Sequence, residues 1–377
     1  MTDKLIPMVE ALADTPADMM EESAAAWGLP LRPLGCPACG QAHLAPESML
    51  DNMPGGLVCP NCAQAMLQPQ PVRLRSDAPE KVIPFRVRQE DLRPILSKYV
   101  DGVWLKCDDF QTETLLERAR PYHLPMWLVD CSLKGAWKAE MGYNYQVKSS
   151  QEAYAGGGWH TTEQVESRLR WEPRLGQISL HYDNTITPAM SDHEQWTNRV
   201  GRFAPDSAQK YDPEHLKGVL LRVPDLDTDE AWPLAQEAVK RRLSTDCMRA
   251  SRAGQLQRFA ADLSYSLLNW SQLLLPVYAT WYTDDEGKRH PIHINGQSGS
   301  VGGLRLASQR KGWKWAGITA GIGAGIFLLA LIFFATAVVF PVFGVIGSVL
   351  AVLAVLVLIA AIVPAVWPWQ WNHSQRR

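Results

Sequence analysis

The sequence predicts an α+β body with a metal-binding ribbon at its N-terminal end and a two-helix membrane hairpin at its C-terminal end. Three observations predict this. Two Cys-x-x-Cys pairs lie near the N-terminus, no charged residue occurs from Ala316 to Trp371, and the stretch between mixes strand-like alternation with helical spacing. The chain has 377 residues, enough for such a body plus a membrane segment, and its formal net charge of -2 provides no general attraction to polyanions.

Residues 1–33 form an acidic segment expected to be flexible. It holds Asp3, Glu10, Asp14, Asp18, Glu21 and Glu22 against Lys4 and Arg32, and it lacks the basic start and apolar core of a signal peptide. Residues 34–68 follow as the ribbon. The spacing Cys36-x2-Cys39-x19-Cys59-x2-Cys62 is that of a tetrahedral Zn(Cys)4 site, with each pair on a tight turn eased by Gly40 and by Pro37 and Pro60. Four thiolates leave no open coordination position, so one structural Zn2+ is expected; an iron–sulfur cluster, which also takes four cysteines, is the rival. Cys107, Cys131 and Cys247 are scattered singly, which fits a reducing compartment rather than a disulfide framework. Between Cys36 and Cys62 there is no Lys, Arg, Phe, Tyr or Trp, whereas Glu47 and Asp51 are acidic. Binding to nucleic acid needs cations for phosphates and rings for bases, so a structural or protein-binding ribbon is favoured.

Residues 69–79 read as a linker and 80–305 as the α/β region. Strands are expected at 81–87, 125–133, 136–147, 165–173 and 176–184, with "EPRLGQ" (172–177) as the hairpin turn between the last two. Helices are expected at 89–99, 111–119, 189–199 and 228–242, the last capped by Asp227 or Thr228. An extended segment, an acidic helix start and an amphipathic helix recur from 82 and from 219. Leu-Pro strands follow at 124 and 275, so the region reads as two β-α-β-β units, the first with an inserted hairpin. In "INGQSGSVGG" (294–303), Asn295, Gly296 and Gly299 read as a structural turn tolerant of positive φ. A phosphate cradle is the sharper reading, but no Gly-Lys-Ser/Thr follows. No His-Glu-x-x-His and no Gly-x-Ser-x-Gly is present, so the expectation is that the chain is not an enzyme.

The apolar run is long enough for two membrane helices, expected at about 316–338 and 344–365, with Pro341 and Gly344 in the turn. A buried core hairpin is disfavoured because the run has no polar face. Before it, residues 306–315 are basic and aromatic; residues 316–366 form the hairpin and 367–377 a basic, aromatic tail. Arg305, Arg310, Lys311 and Lys314 precede the hairpin, and Arg376 and Arg377 follow it. Positive flanks stay on the cytoplasmic side, so both termini are expected there. Trp313 and Trp315 before the run match Trp367, Trp369 and Trp371 after it as an interfacial belt, and the cations suit anionic lipid headgroups. Gly317, Gly321 and Gly325 recur every four positions and are candidates for a close helix contact, within the hairpin or between protomers of a homo-oligomer.

The twin Cys-Pro-x-Cys pairs, "PEKVIPFRV" (79–87), "LPMWLVD" (124–130), "RWEPRLGQISLHYDN" (170–184), "LLPVYATWY" (274–282) and "INGQSGSVGG" together span most of the chain. They resemble a bacterial family of membrane-anchored zinc-ribbon proteins, often mislabelled as primosomal-helicase-like or TFIIB-type. This chain departs from the family pattern at Ser298 and Ser300, where Thr and Lys are usual, and it has no Walker A sequence to support helicase activity. The resemblance implies no enzymatic activity. It implies a bacterial inner-membrane adaptor or scaffold, with membrane lipids and an SPFH-type or phage-shock-type membrane-stress protein as partners. A membrane-tethered nucleic-acid-binding protein is the alternative, and a lipid-directed membrane enzyme a second one.

Overall fold

The computed structural model describes residues 26–51, 55–70, 78–337 and 339–375. The acidic stretch 1–25, most of the expected linker (71–77), and Arg376 and Arg377 lie outside the described residues. The described residues hold an eleven-stranded sheet with helices on it and two long apolar helices at the C-terminal end.

The N-terminal part comprises β1 (Leu31–Gly35), β2 (Ala42–Pro46), a short helix α1 (Glu47–Asp51) and β3 (Gln68–Pro69). The body then runs β4 (Lys81–Val82), α2 (Leu92–Asp101), α3 (Thr112–Arg118), β5 (Arg120–Ala155) and β6 (Gly158–Pro188). After α4 (His193–Val200) and β7 (Gln209–Lys210) come β8 (Leu220–Arg222), α5 (Thr228–Ala250), β9 (Gln255–Thr283), β10 (Arg289–Asn295) and β11 (Val301–Gly303). The chain closes with α6 (Gln309–Thr336), α7 (Val342–Ala360) and α8 (Ile362–Gln375).

The order strand–helix–strand–strand thus occurs twice, and the two occurrences exchange their first strands. β4 pairs in parallel with β9 at Lys81↔Leu273 and Val82↔Leu274. β8 pairs in parallel with β5 at Tyr122↔Leu220 and His123↔Leu221. The central β5–β9 pair is antiparallel and sets the two Leu-Pro motifs opposite each other, Leu124↔Leu275 and His123↔Pro276. Tyr122, Leu124, Met126 and Leu128 alternate onto one face with Leu273, Leu275 and Val277, and α4 covers them with Trp196 and Val200. At the base, α2 buries Leu92, Leu96 and Val100 against Tyr278, Tyr282 and Ile292. Along the outer part, α5 buries Ala231, Ala235, Val239, Leu243 and Cys247, one residue per turn, over the sheet. Of the two expected caps, Asp227 or Thr228, the helix uses Asp227, whose carboxylate accepts from Glu230 N at 2.8 Å.

Several expectations change. The strands expected at 125–133 and 136–147 are one continuous strand, and "EPRLGQ" is not a turn: β6 passes straight through it. The turn lies at Gly156–Gly157, both with left-handed φ (63° and 86°), where the pairing Ala155↔Gly158 closes the hairpin. Pro173 is tolerated because β6 pairs with β5 alone, and a proline on an edge strand forfeits little. Only Lys81–Val82 of the 81–87 segment joins the ladder, since Pro84 supplies no N–H. The 189–199 helix begins only at His193, and the 228–242 helix continues to Ala250. Gly296 does not carry positive φ; a Cβ there would stand 2.6 Å from Phe85 Cδ1, so close approach is what requires glycine. Gly299 does take the left-handed φ, and Asn295 Oδ1 accepts from Gln297 N and Ser298 N.

The first apolar helix runs longer than expected, and the second, expected at 344–365, is α7 to Ala360 followed by α8. α6 starts at Gln309, so most of the segment before the apolar run is helical, and the tail after Trp367 is helical to Gln375. Gly344 lies in the first turn of α7 rather than in the connection. Only 11% and 17% of the most apolar stretches of the two segments is buried, so these are not core helices, and they suggest membrane association. Gly317, Gly321 and Gly325 have nothing near a Cβ position, so they do not make the hairpin contact. Gly323 against Leu358, Gly347 against Phe334 and Gly312 against Pro364 do.

Candidate metal centre

Each cysteine pair sits in the same local fold. Gly40 N donates to Cys36 O at 2.9 Å, and Ala63 N donates to Cys59 O at 2.9 Å. The donor in each knuckle is the fourth residue after the first cysteine, and both donors take left-handed φ, 72° at Gly40 and 59° at Ala63. Gly40 is suited to this; Ala63 holds it against the cost of a Cβ. The two turns point their thiols inward. Cys36, Cys39, Cys59 and Cys62 place all four Sγ atoms within 4.8 Å of one another, with Cys36–Cys62 at 3.6 Å and Cys39–Cys59 at 3.7 Å, and all four are free of disulfides. Around one tetrahedral ion with metal–sulfur bonds of about 2.3 Å, sulfurs stand about 3.8 Å apart. The cluster therefore could hold one such ion.

The electrostatics point the same way. A hydrogen bond from Cys59 lowers Cys39 to about 5, while that contact and burial push Cys59 far up. Burial raises Cys62 to about 11. Thiols this close cannot all ionise together; a bound cation is what would let them.

Donors surround the sulfurs. Gln64 N lies 3.4 Å from Cys62 Sγ and Asn61 Nδ2 lies 3.8 Å from Cys39 Sγ. His43 on β2 is fully buried, with Nε2 3.7 Å from Cys59 Sγ and Nδ1 3.3 Å from Tyr122 Oη. Burial, and then the nearby Arg222 charge, bring His43 down to about 3, so it is neutral and has one N–H. Burial keeps the Tyr122 phenol protonated, and with the ring proton on Nε2 the imidazole N–H would point at Cys59 while Nδ1 accepts from Tyr122. Arg222, opposite His43 in the β2–β8 ladder, is buried and pairs with Asp192 (2.8 Å) and Asp225 (3.0 Å).

The ribbon is part of the body. β2 joins the large sheet through β8, and Cys36, Leu57 and Cys59 share a core with Tyr122, Leu124 and Trp196. His293 on β10 donates from Nε2 to Pro60 O at 2.7 Å and accepts from Arg199 at Nδ1. Gln64 reaches Arg289 O at 2.5 Å. Sequence reasoning located the four cysteines but missed His43, Tyr122, Arg222 and His293. Only His43, a histidine between the cysteine pairs, carried a local signal.

The expected interfacial residues divide into two groups. Trp313, Lys314, Trp315 and Trp369 are exposed. Arg305, Lys311, Trp367 and Trp371 turn toward the body, and exposed Arg310 reaches it through hydrogen bonds, while Arg376 and Arg377 lie outside the described residues. Trp371 Nε1 donates to Arg305 O at 2.6 Å, and the Arg305 guanidinium lies over Tyr99 and Trp371. Trp367 and Trp371 stack and pack on the α2–β9 core. Lys311 pairs with Asp108 at 2.6 Å, and Arg310 donates to Asp285. No family model, no curated protein and no solved structure matches this chain.

Proposed function

We propose that this chain is a membrane-anchored scaffold for protein assembly. Its two apolar helices would hold the body at the cytoplasmic face of a bacterial inner membrane, and one structural zinc ion would lock the N-terminal ribbon into that body. The observation that carries the reading is the arm formed by β5 and β6. Beyond Gly142, where β9 begins, the two strands continue to Gly156–Gly157 with almost every side chain exposed. A two-stranded ribbon of this kind is marginal alone and presents unpaired backbone along its edges, which is how strands recruit strands. A single ion suits thiols less than 4.8 Å apart better than a wider multi-iron core does. The resemblance makes an SPFH-type or phage-shock-type protein the first partner to seek.

The test is co-purification from native membranes. Tyr145 and Arg168 are register partners, so residues 146–167 can be replaced by Asn-Gly to leave a short hairpin. The scaffold reading expects the shortened protein to stay membrane-bound and to lose its partners. Recovery of the same partners from it would sink the reading.

A further inference from the structure

The outer edge of β6 is self-complementary. Its charged residues Glu166, Arg168, Arg170, Glu172 and Arg174 alternate onto one face, opposite Val147, Tyr145, Tyr143, Met141 and Ala139 of β5. The other face carries exposed Val165, Trp171 and Leu175, the last 84% exposed, together with half-buried Leu169. Among the described residues β6 has no strand partner but β5.

We propose that this edge binds the same edge of a second copy of the chain, antiparallel, about a two-fold axis through Arg170. This rests on reading the arm as a docking surface and names its occupant. In that register Glu166 faces Arg174 and Arg168 faces Glu172, each twice by symmetry, and Val165 faces Leu175 while Leu169 faces Trp171. Neighbouring registers make fewer opposite-charge pairs. Centring on Leu169 or Trp171 opposes Arg168 to Arg170 or to Arg174. Centring on Glu172 opposes Arg170 to Arg174, and centring on Arg168 leaves Glu172 and Arg174 facing Gln164 and Thr162. The two Arg170 side chains meet at the axis, each beside its own Glu172 at 2.6 Å.

The axis also falls where a partner is needed. β9 begins at Gln255 opposite Gly142, and Gly142 pairs with Trp171. From Arg170 outward β5 and β6 form a ribbon with no third strand. In the dimer, residues 158–170 of each copy lie along residues 170–182 of the other, so each bare ribbon is paired against the partner's three-stranded segment. The cations now bond along their own strand, Arg168 to Glu166 at 3.1 Å and Arg174 to Glu172 at 2.8 Å. Such exposed pairs are weak and exchange readily for cross-strand ones. Pro173 would face Ser167 in both copies and removes at most one donor from each half of the ladder.

The experiment uses the full chain in mild detergent. With Arg170→Cys the two sulfurs come within disulfide reach, so oxidation is expected to cross-link it at least about tenfold faster than Ser179→Cys, whose copies stand about 60 Å apart. Mixing Thr161→Cys with Ser179→Cys chains is expected to cross-link where neither does alone. Arg168→Glu with Arg174→Glu is expected to halve the protein mass measured by light scattering, and adding Glu166→Arg with Glu172→Arg to restore it. A monomeric wild type would overturn the proposal, as would a dimer indifferent to the charge reversal or cross-linking of Arg170→Cys no faster than Ser179→Cys. If these fail while the shortened arm still loses other partners, the scaffold reading stands and self-pairing does not.

Discussion

At the scale of single residues, the cysteines were legible and their surroundings were not. Cys-x-x-Cys spacing is local chemistry, readable without a fold. His43, Tyr122 and Arg222 come together only because β2 pairs with β8 and β8 with β5. His43→Phe or Tyr122→Phe is expected to weaken metal retention about tenfold or more, read by competition with a chromophoric chelator, because the imidazole beside Cys59 is lost or loses its support. Acid should act through buried neutral histidines. Burial lowers His123 to about 4, and burial with the Arg199 charge lowers His293 to about 3. The unfolded chain binds protons at these sites from about pH 6.5 downward while the folded chain does not. Stability is therefore full above pH 6.5 and falls as pH drops toward 4, by about 2 kcal/mol for each histidine at pH 5. Urea unfolding from pH 7.5 to pH 5 measures this; His123→Gln should flatten the profile, and an unchanged slope would show that His123 is not the cause.

At the scale of elements, helix positions followed their caps and apolar spacing, as with α5 and Asp227. Asp227→Ala is expected to cost about 1 kcal/mol in chemical denaturation, with Thr228→Ala near neutral. Strand lengths were misjudged for an identifiable reason. "EPRLGQ" has turn composition, yet β6 is an edge strand and tolerates Pro173, while a Cβ on Gly176 would stand 3.0 Å from Trp137 Nε1. Gly302 shows a similar dependence on context. A Cβ there would overlap Arg199 O, so Gly302→Ala should force α4 away from β11 and cost about 1–3 kcal/mol.

At the scale of the whole molecule, the four-cysteine cluster and the apolar C-terminal helices are both joined to one body. Cys36→Ser with Cys59→Ser is expected to lower the thermal midpoint of the body as well as remove the metal, because both side chains lie in its core. An independent ribbon would leave the midpoint of the body where it was. The C-terminal helices contribute Trp367 and Trp371 to the α2–β9 core. Replacing both with alanine should therefore destabilise the body even in detergent, where membrane insertion is not at issue.

What the sequence determined by itself was whatever depends on spacing along the chain. The four thiols, the two apolar helices, a helix start at Asp227 or Thr228 and the twofold recurrence of strand, helix and Leu-Pro strand belong here. Only the tertiary structure decided what depends on pairing between distant segments. That includes the exchange of β4 and β8 between the two halves, the seating of the ribbon on β8 and β10, and the turn at Gly156–Gly157. It also includes the division of the tryptophans between the body and the outside. The physical reason is that a strand's neighbours, and hence which of its residues are edge, core or turn, are set by hydrogen bonds across the sheet rather than by its own composition.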